Sequence, residues 1–271
     1  MNYTECRLLL IDKRMNMKRI IAFIILLFTT YGIILAQGET VAQQARLAYD
    51  SAQYHKTIEI LEKEREAQIA NNLESADLYY NLGNAYYRVD NLAKARLNYE
   101  RAALLNPGDS DIKGNIEFIK TKIEDKIPVA DSFFLGVWFR AVQNWFSSNG
   151  WAKIAVISFL LFIACLSVFF FSRKEISKKI SFYCGIIFIT FIIFANIFSY
   201  NQKKRIEIRD TAIIMTGAAS VLSAPDSNSK ELFILHAGTK VTITKEDRYW
   251  FEIEIDNGSV GWIQRDKLEI I

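Results

Sequence analysis

Residues 76–109 read ADLYYNLGNAYYRVDNLAKARLNYERAALLNPGD. Tyr79, Leu82 and Tyr86 recur at i, i+3 and i+7, which gathers them on one face of a first helix. Ala95, Tyr99 and Ala102 do the same on a second helix, and Pro107 stops it after Asn106. Gly83 costs about 1 kcal/mol relative to Ala inside a helix. Its presence implies a close crossing of the two helices, with Ala95 as the small partner and Tyr79 and Tyr86 filling the space around it.

These 34 residues resemble the tetratricopeptide repeat at each signature place: Tyr79, Leu82, Gly83, Tyr86, Ala95, Tyr99, Ala102 and Pro107. A weaker copy precedes it. AYDSAQYHKTIEILEKE (48–64) aligns with YYRVDNLAKARLNYERA (86–102) at an offset of 38, which predicts a lengthened turn around IANNLES (69–75). After Pro107, Ile112, Ile116, Ile119 and Ile123 predict an amphipathic capping helix. Two repeats and a cap are a minimal stack, so added support from a membrane-proximal segment or a partner is expected. The resemblance implies that the remaining face of the first helix lines a concave, peptide-binding groove. Here that face carries Asp77, Tyr80, Asn84, Tyr87 and Arg88. A polar, solvated groove is the alternative.

Outside this region the apolar residues are concentrated. The chain is 51% hydrophobic with a net charge of +3, yet residues 37–131 carry 12 basic and 16 acidic residues, and 210–271 carry 6 and 10. The positive excess therefore flanks apolar stretches, a pattern of membrane orientation rather than of nucleic-acid binding. IIAFIILLFTTYGIILA (20–36) follows Lys18 and Arg19 and reads as a secretory signal within a leader over 1–36, with Met15 or Met17 as alternative starts. If it is not cleaved, it becomes an anchor. The stretches 151–171 and 180–200 are each 21 residues long, about 30 Å as helix, and predict transmembrane helices joined by a loop, SRKEISKK (172–179).

The charges of that loop favour the cytoplasm, while NQKKRIEIR (201–209) votes the other way. The export signal breaks the tie. Both soluble parts are then expected on the periplasmic side of the inner membrane. Cys6 falls in the leader and Cys165 and Cys184 in the spans, so no disulfide framework is expected outside.

Between the repeats (37–126) and the first span lies a linker (127–150) with Phe134, Leu135, Trp138, Val142, Trp145 and Phe146 on one side at helical spacing. It reads as an interfacial helix, with docking against the repeats as the alternative. From 201 to 271 the period shortens to β runs: TAIIM, ASVLSAP, KELFILH, TKVTITKE, YWFEIEI and GSVGWIQ, with Asn257-Gly258 as a hairpin signal. Five or six strands in so short a segment predict a small barrel. LHAGTKVTI, Trp250 and NGSVGWI, which holds Gly261 and Trp262, resemble the bacterial SH3-like domain. The two tryptophans serve either its core, the preferred role for Trp250, or a ligand surface; cell-wall peptides are one ligand such modules take.

The sequence contains no nucleotide-binding, nucleophile-elbow or zinc-protease motif, and His55 and His236 lie in different domains. The expected fold is thus multidomain: an all-α tetratricopeptide domain, a two-helix transmembrane hairpin and an all-β SH3-like barrel, without catalysis, metal or cofactor. This order of modules, with SNGWAKIAV leading into the first span, resembles the BatE family of the Bacteroides aerotolerance operon. That resemblance implies partners with von Willebrand A-type domains, a nearby MoxR-type ATPase and a role in oxygen or envelope-stress tolerance. The expected function is a periplasm-facing membrane scaffold; the alternative is an envelope anchor whose barrel binds peptidoglycan.

Overall fold

The computed structural model describes residues 40–128 and 134–271. The expected leader and signal peptide lie outside the described residues. Eight α-helices are followed by seven short strands among the described residues.

Four helices form two hairpins: α1 (Val41–Asp50) with α2 (Tyr54–Ala70), and α3 (Ala76–Arg88) with α4 (Leu92–Leu105). α1 opens on a capping box between Thr40 and Gln43. The two turns are copies of one another. Ala52 and Asp90, 38 residues apart, both adopt positive φ (59° and 61°), and each donates its N–H to the carbonyl three residues before it. The extra residues of the first repeat lengthen α2 to 17 residues, against 14 in α4, so only 71–75 separate it from α3. The expected longer turn is therefore mostly additional helix. The capping helix α5 (Ser110–Lys122) starts from an Asp109 N-cap and buries Ile112, Ile116 and Ile119, with Ile123 just beyond it.

The packing gives Gly83 its reason. A Cβ there would stand 2.6 Å from Cδ1 and Cε1 of Tyr99, so the Tyr99 ring of α4 packs directly on the backbone of α3. Tyr79, Leu82, Tyr86, Ala95, Tyr99 and Ala102 all belong to one buried cluster with the isoleucines of α5. Pro107 is buried immediately after α4.

A short amphipathic helix, α6 (Phe134–Gln143), leads into α7 (Ser148–Phe171) and α8 (Glu175–Ile208). α7 and α8 are long and apolar enough to cross a membrane, with mean hydropathies of 2.9 and 2.2. Only 11% and 17% of their most apolar windows are buried inside the protein, so they are not core helices of a soluble domain. Their connection is only Ser172–Lys174; the rest of the expected 172–179 loop already belongs to α8. Likewise Ser148–Gly150 belongs to α7 rather than to the linker, because Ser147 caps the helix by accepting from the Gly150 N–H.

At 34 residues α8 is about 51 Å long, roughly 20 Å more than a hydrocarbon core requires. Its surplus carries the chain back to the repeats. There Arg209, in the left-handed conformation, ends the helix and pairs with Glu74.

The strands β1 (Thr211–Ile214), β2 (Ala218–Leu222), β3 (Glu231–His236), β4 (Lys240–Glu246), β5 (Trp250–Glu254), β6 (Val260–Gln264) and β7 (Leu268–Ile270) form one antiparallel sheet. Its order is β3-β2-β6-β5-β4-β1-β7, curled around a single core that includes Ile214, Val221, Leu235, Val241, Phe251, Ile253 and Ile263. The six anticipated runs are β1 to β6. β7 was not anticipated, since three residues after a 3₁₀ turn carry too little alternation to read.

Candidate functional site

The groove face of α3 is only partly free. Asn84 Oδ1 accepts from the Tyr99 hydroxyl at 2.7 Å and from Asn115 Nδ2 at 3.3 Å. Tyr80 packs at a tilt against Tyr99, and Tyr87 stands edge-on to Phe118 of α5. Arg88 is exposed and lies over the rings of Tyr49 and Tyr54. Asp77 is exposed in the first turn of α3, where a carboxylate suits the helix N-terminus. The five residues therefore do not converge on one point. The open part of the groove lies toward α1: a hollow of about 410 Å³ lined by Ala42, Ala45, Arg46, Tyr49, Thr57, Leu61, Asn81 and Asn84. Asn84 is the one expected residue that reaches it. Arg46 was not singled out, because the α1 repeat departs from the signature; Asn81 lies in the well-formed repeat, three residues before Asn84, but outside the set read as the groove face.

Two phenols of α3 are anchored on carboxylates. Tyr86 donates to Glu62 Oε1 at 2.7 Å, and Tyr79 donates to Glu74 at 3.0 Å. Burial, then the adjoining carboxylates, pushes both phenols up, so they remain protonated donors. Tyr99 is raised as well, chiefly by burial.

The opposite face of α4 holds what the sequence reading did not find. Arg96, Leu97 and Glu100 are all buried there, because the barrel is docked against them. Leu97 packs with Ile213 and Ile271, and Leu104 and Met215 lie against this cluster. Arg96 Nη1 donates to the Gly238 carbonyl at 2.7 Å, and Lys240 Nζ to Glu100 at 2.6 Å. Arg101 donates to Glu269 at 3.0 Å and to the Ile270 carbonyl at 2.6 Å. Burial alone would raise the Glu100 carboxyl, but Lys240 and Arg96 outweigh it and hold it below the usual range.

A second polar contact involves Asp125, just after α5. It accepts from the His236 N–H, the His236 ring and the Thr239 hydroxyl at 2.8, 2.7 and 2.6 Å. Desolvation opposes its charge, yet these donors lower its pKa, and the same contact raises that of His236. Gly238, at φ +90°, forms the tip that meets α4 and α5; a Cβ there would lie 3.0 Å from Ile123. Repeats and barrel each carry excess negative charge. Their union thus rests on these local pairs, not on overall attraction.

On the barrel itself, Phe251 fills the core while Trp250 is half-buried outside it, contrary to the preferred core role for Trp250. The strand period explains this, since neighbours in β5 face opposite ways. Trp250 lines an open hollow of about 520 Å³ with Tyr249, Gln264, Arg265 and Asp266. Trp262 is half-buried and sits opposite Leu222 and Glu252 in the sheet. Gly261 is buried against Val221 of β2.

Residues 76–109 match the tetratricopeptide repeat model, and residues 217–269 match the bacterial SH3 domain model. Among curated proteins no significant match to the chain is found. Both matched domains are typically non-catalytic interaction modules, and no enzyme family matches. Among the described residues no group of His, Cys, Asp and Glu is arranged to hold a metal ion.

Proposed function

We propose that this chain is a non-enzymatic membrane scaffold that presents a tetratricopeptide groove and an SH3-like barrel as one unit on the periplasmic face of the inner membrane. The observation that carries the reading is the division of surfaces. The barrel covers the α4 side of the repeats, while the hollow beside Arg46, Asn81 and Asn84 stays open. An open groove held rigid by a docked neighbour suits the capture of an extended peptide, since less ordering entropy is lost on binding. The hairpin supports a two-pass anchor, with both soluble modules at the same end of it.

The resemblance to the BatE family supplies the class of partner: membrane proteins with von Willebrand A-type domains, served by a MoxR-type ATPase, in aerotolerance or envelope-stress defence. Co-purification in mild detergent tests this. Such partners are recovered with the wild type and lost with Asn84→Ala/Tyr87→Ala. Because Asn84 also holds Tyr99, Arg46→Glu provides a second variant that leaves the repeat core untouched. Undiminished recovery with both variants rules out the groove.

A second reading, peptidoglycan binding by the barrel, is favoured by the hollow around Trp250, where Tyr249 is 64% exposed. Purified sacculi would retain the detergent-solubilised chain and lose it on Tyr249→Ala/Trp250→Ala.

A further inference from the structure

We infer that the foot of the hairpin is a binding site for the phosphate headgroup of an anionic phospholipid, built from Arg140, Lys204 and Arg205. The inference rests on the reading of α7 and α8 as membrane spans. These three residues line a hollow of about 400 Å³ together with Phe139, Gln143, Asn201, Ile208 and Asp210. Three cations face one carboxylate there. Among the described residues neither Arg140 nor Lys204 has an ion-pair partner, and Arg205 is held only by Asn144 Oδ1 at 3.3 Å.

Depth supports the assignment. The apolar run of α8 ends at Tyr200, so Lys204 and Arg205 stand about 6–8 Å beyond the hydrocarbon edge. The headgroup layer on one side is about 5–7 Å thick. Leu135, Val137 and Trp138 of α6, the helix that carries Arg140, and Trp145 after it, are 47–64% exposed. Aromatic and aliphatic side chains next to cations are what an acyl–headgroup boundary accommodates.

The hollow is also preorganised. Gln202, 1% exposed, donates to the Gln143 carbonyl at 3.1 Å and to Asn144 Oδ1 at 3.0 Å. Trp151 Nε1 donates to the same Gln143 carbonyl at 2.8 Å. Ser148 and Ser199 exchange hydrogen bonds to each other's carbonyls at 3.0 Å. This polar knot locks α6, α7 and α8 at the level where the cations emerge. The lysines and arginine after Tyr200 also oppose the orientation that the export signal sets. A bound anionic headgroup accounts for their position.

The test measures retention of phosphatidylglycerol by the purified full chain, titrated in detergent and read by native mass spectrometry. Phosphatidylcholine and inorganic phosphate are separate arms. The wild type retains phosphatidylglycerol over phosphatidylcholine, and phosphate does not compete. Arg140→Gln/Lys204→Gln/Arg205→Gln lowers that affinity by about tenfold or more. Arg173→Gln/Lys174→Gln, at the far end of the hairpin, leaves it within about twofold. Equal losses in the two variants, no loss in either, or competition by phosphate would overturn the proposal. Alkaline washing of membranes separates the two readings. Wild type and variants stay in the pellet if the helices span, and release of the wild type defeats the spanning reading and this site together.

Discussion

Lys240 of the barrel stands 2.6 Å from Glu100 of the repeats, 140 residues earlier in the chain, and the Glu100 side chain is only 9% exposed. A carboxylate so placed is tolerable only while its cations remain. Removing one partner leaves the other charge buried, whereas removing both costs less. Glu100→Gln and Lys240→Met should each destabilise the chain, and the double variant should lose less than their sum. The coupling is expected at about 1–2 kcal/mol. Urea titration in detergent, followed by tryptophan fluorescence, measures it, and simple additivity would argue against the pair.

The contact between Gly83 and Tyr99 gives a sharper sign. Alanine normally improves a helix interior by about 1 kcal/mol. At Gly83 its methyl would enter a ring that is 2% exposed and tied to Asn84, and overpacking of this kind costs about 1–3 kcal/mol. Gly83→Ala should therefore lower the melting temperature. Gly114→Ala, in α5 where an added Cβ meets nothing within 4 Å, should raise it. Shifts of the same direction would refute the packing account.

The Asp125–His236 contact predicts a pH window. Because the His236 pKa is raised, its contribution is complete below about 6.5 and fades as pH climbs through the higher folded value. The Asp125 pKa is lowered, so its contribution is complete above about 3.9 and fades as pH falls through the folded value. Docking should be tightest between about pH 4 and 6.5. Glu124, 3.4 Å from the ring, acts in the same direction as Asp125. His236→Gln should remove the upper limb of the profile, as read by limited proteolysis between barrel and repeats. An unchanged upper limb would assign it to another group.

Much of this architecture was legible because its signals are local. The repeat spacing from Tyr79 to Pro107, the apolar runs of α7 and α8, and the alternation in β1 to β6 each lie within a window of sequence. The docked interface was not, since it joins Arg96 and Glu100 to Gly238 and Lys240 across about 140 residues. One trace was present: Leu97 and Leu104 are apolar, seven residues apart, and off the face that packs inside the repeat. They mark a second buried face on α4. The groove was read in part, as the Asn84 side; the Arg46 side belongs to the repeat with the weaker signature.

The central claim is that repeats and barrel stand together on the periplasmic side of the hairpin. Single cysteines at Lys63, Asn228 and Lys174, in a chain with its native cysteines changed to Ser, test it most directly through a membrane-impermeant maleimide on intact spheroplasts. The account predicts labelling of Lys63→Cys and Asn228→Cys but not of Lys174→Cys. Labelling of one soluble module without the other would contradict it.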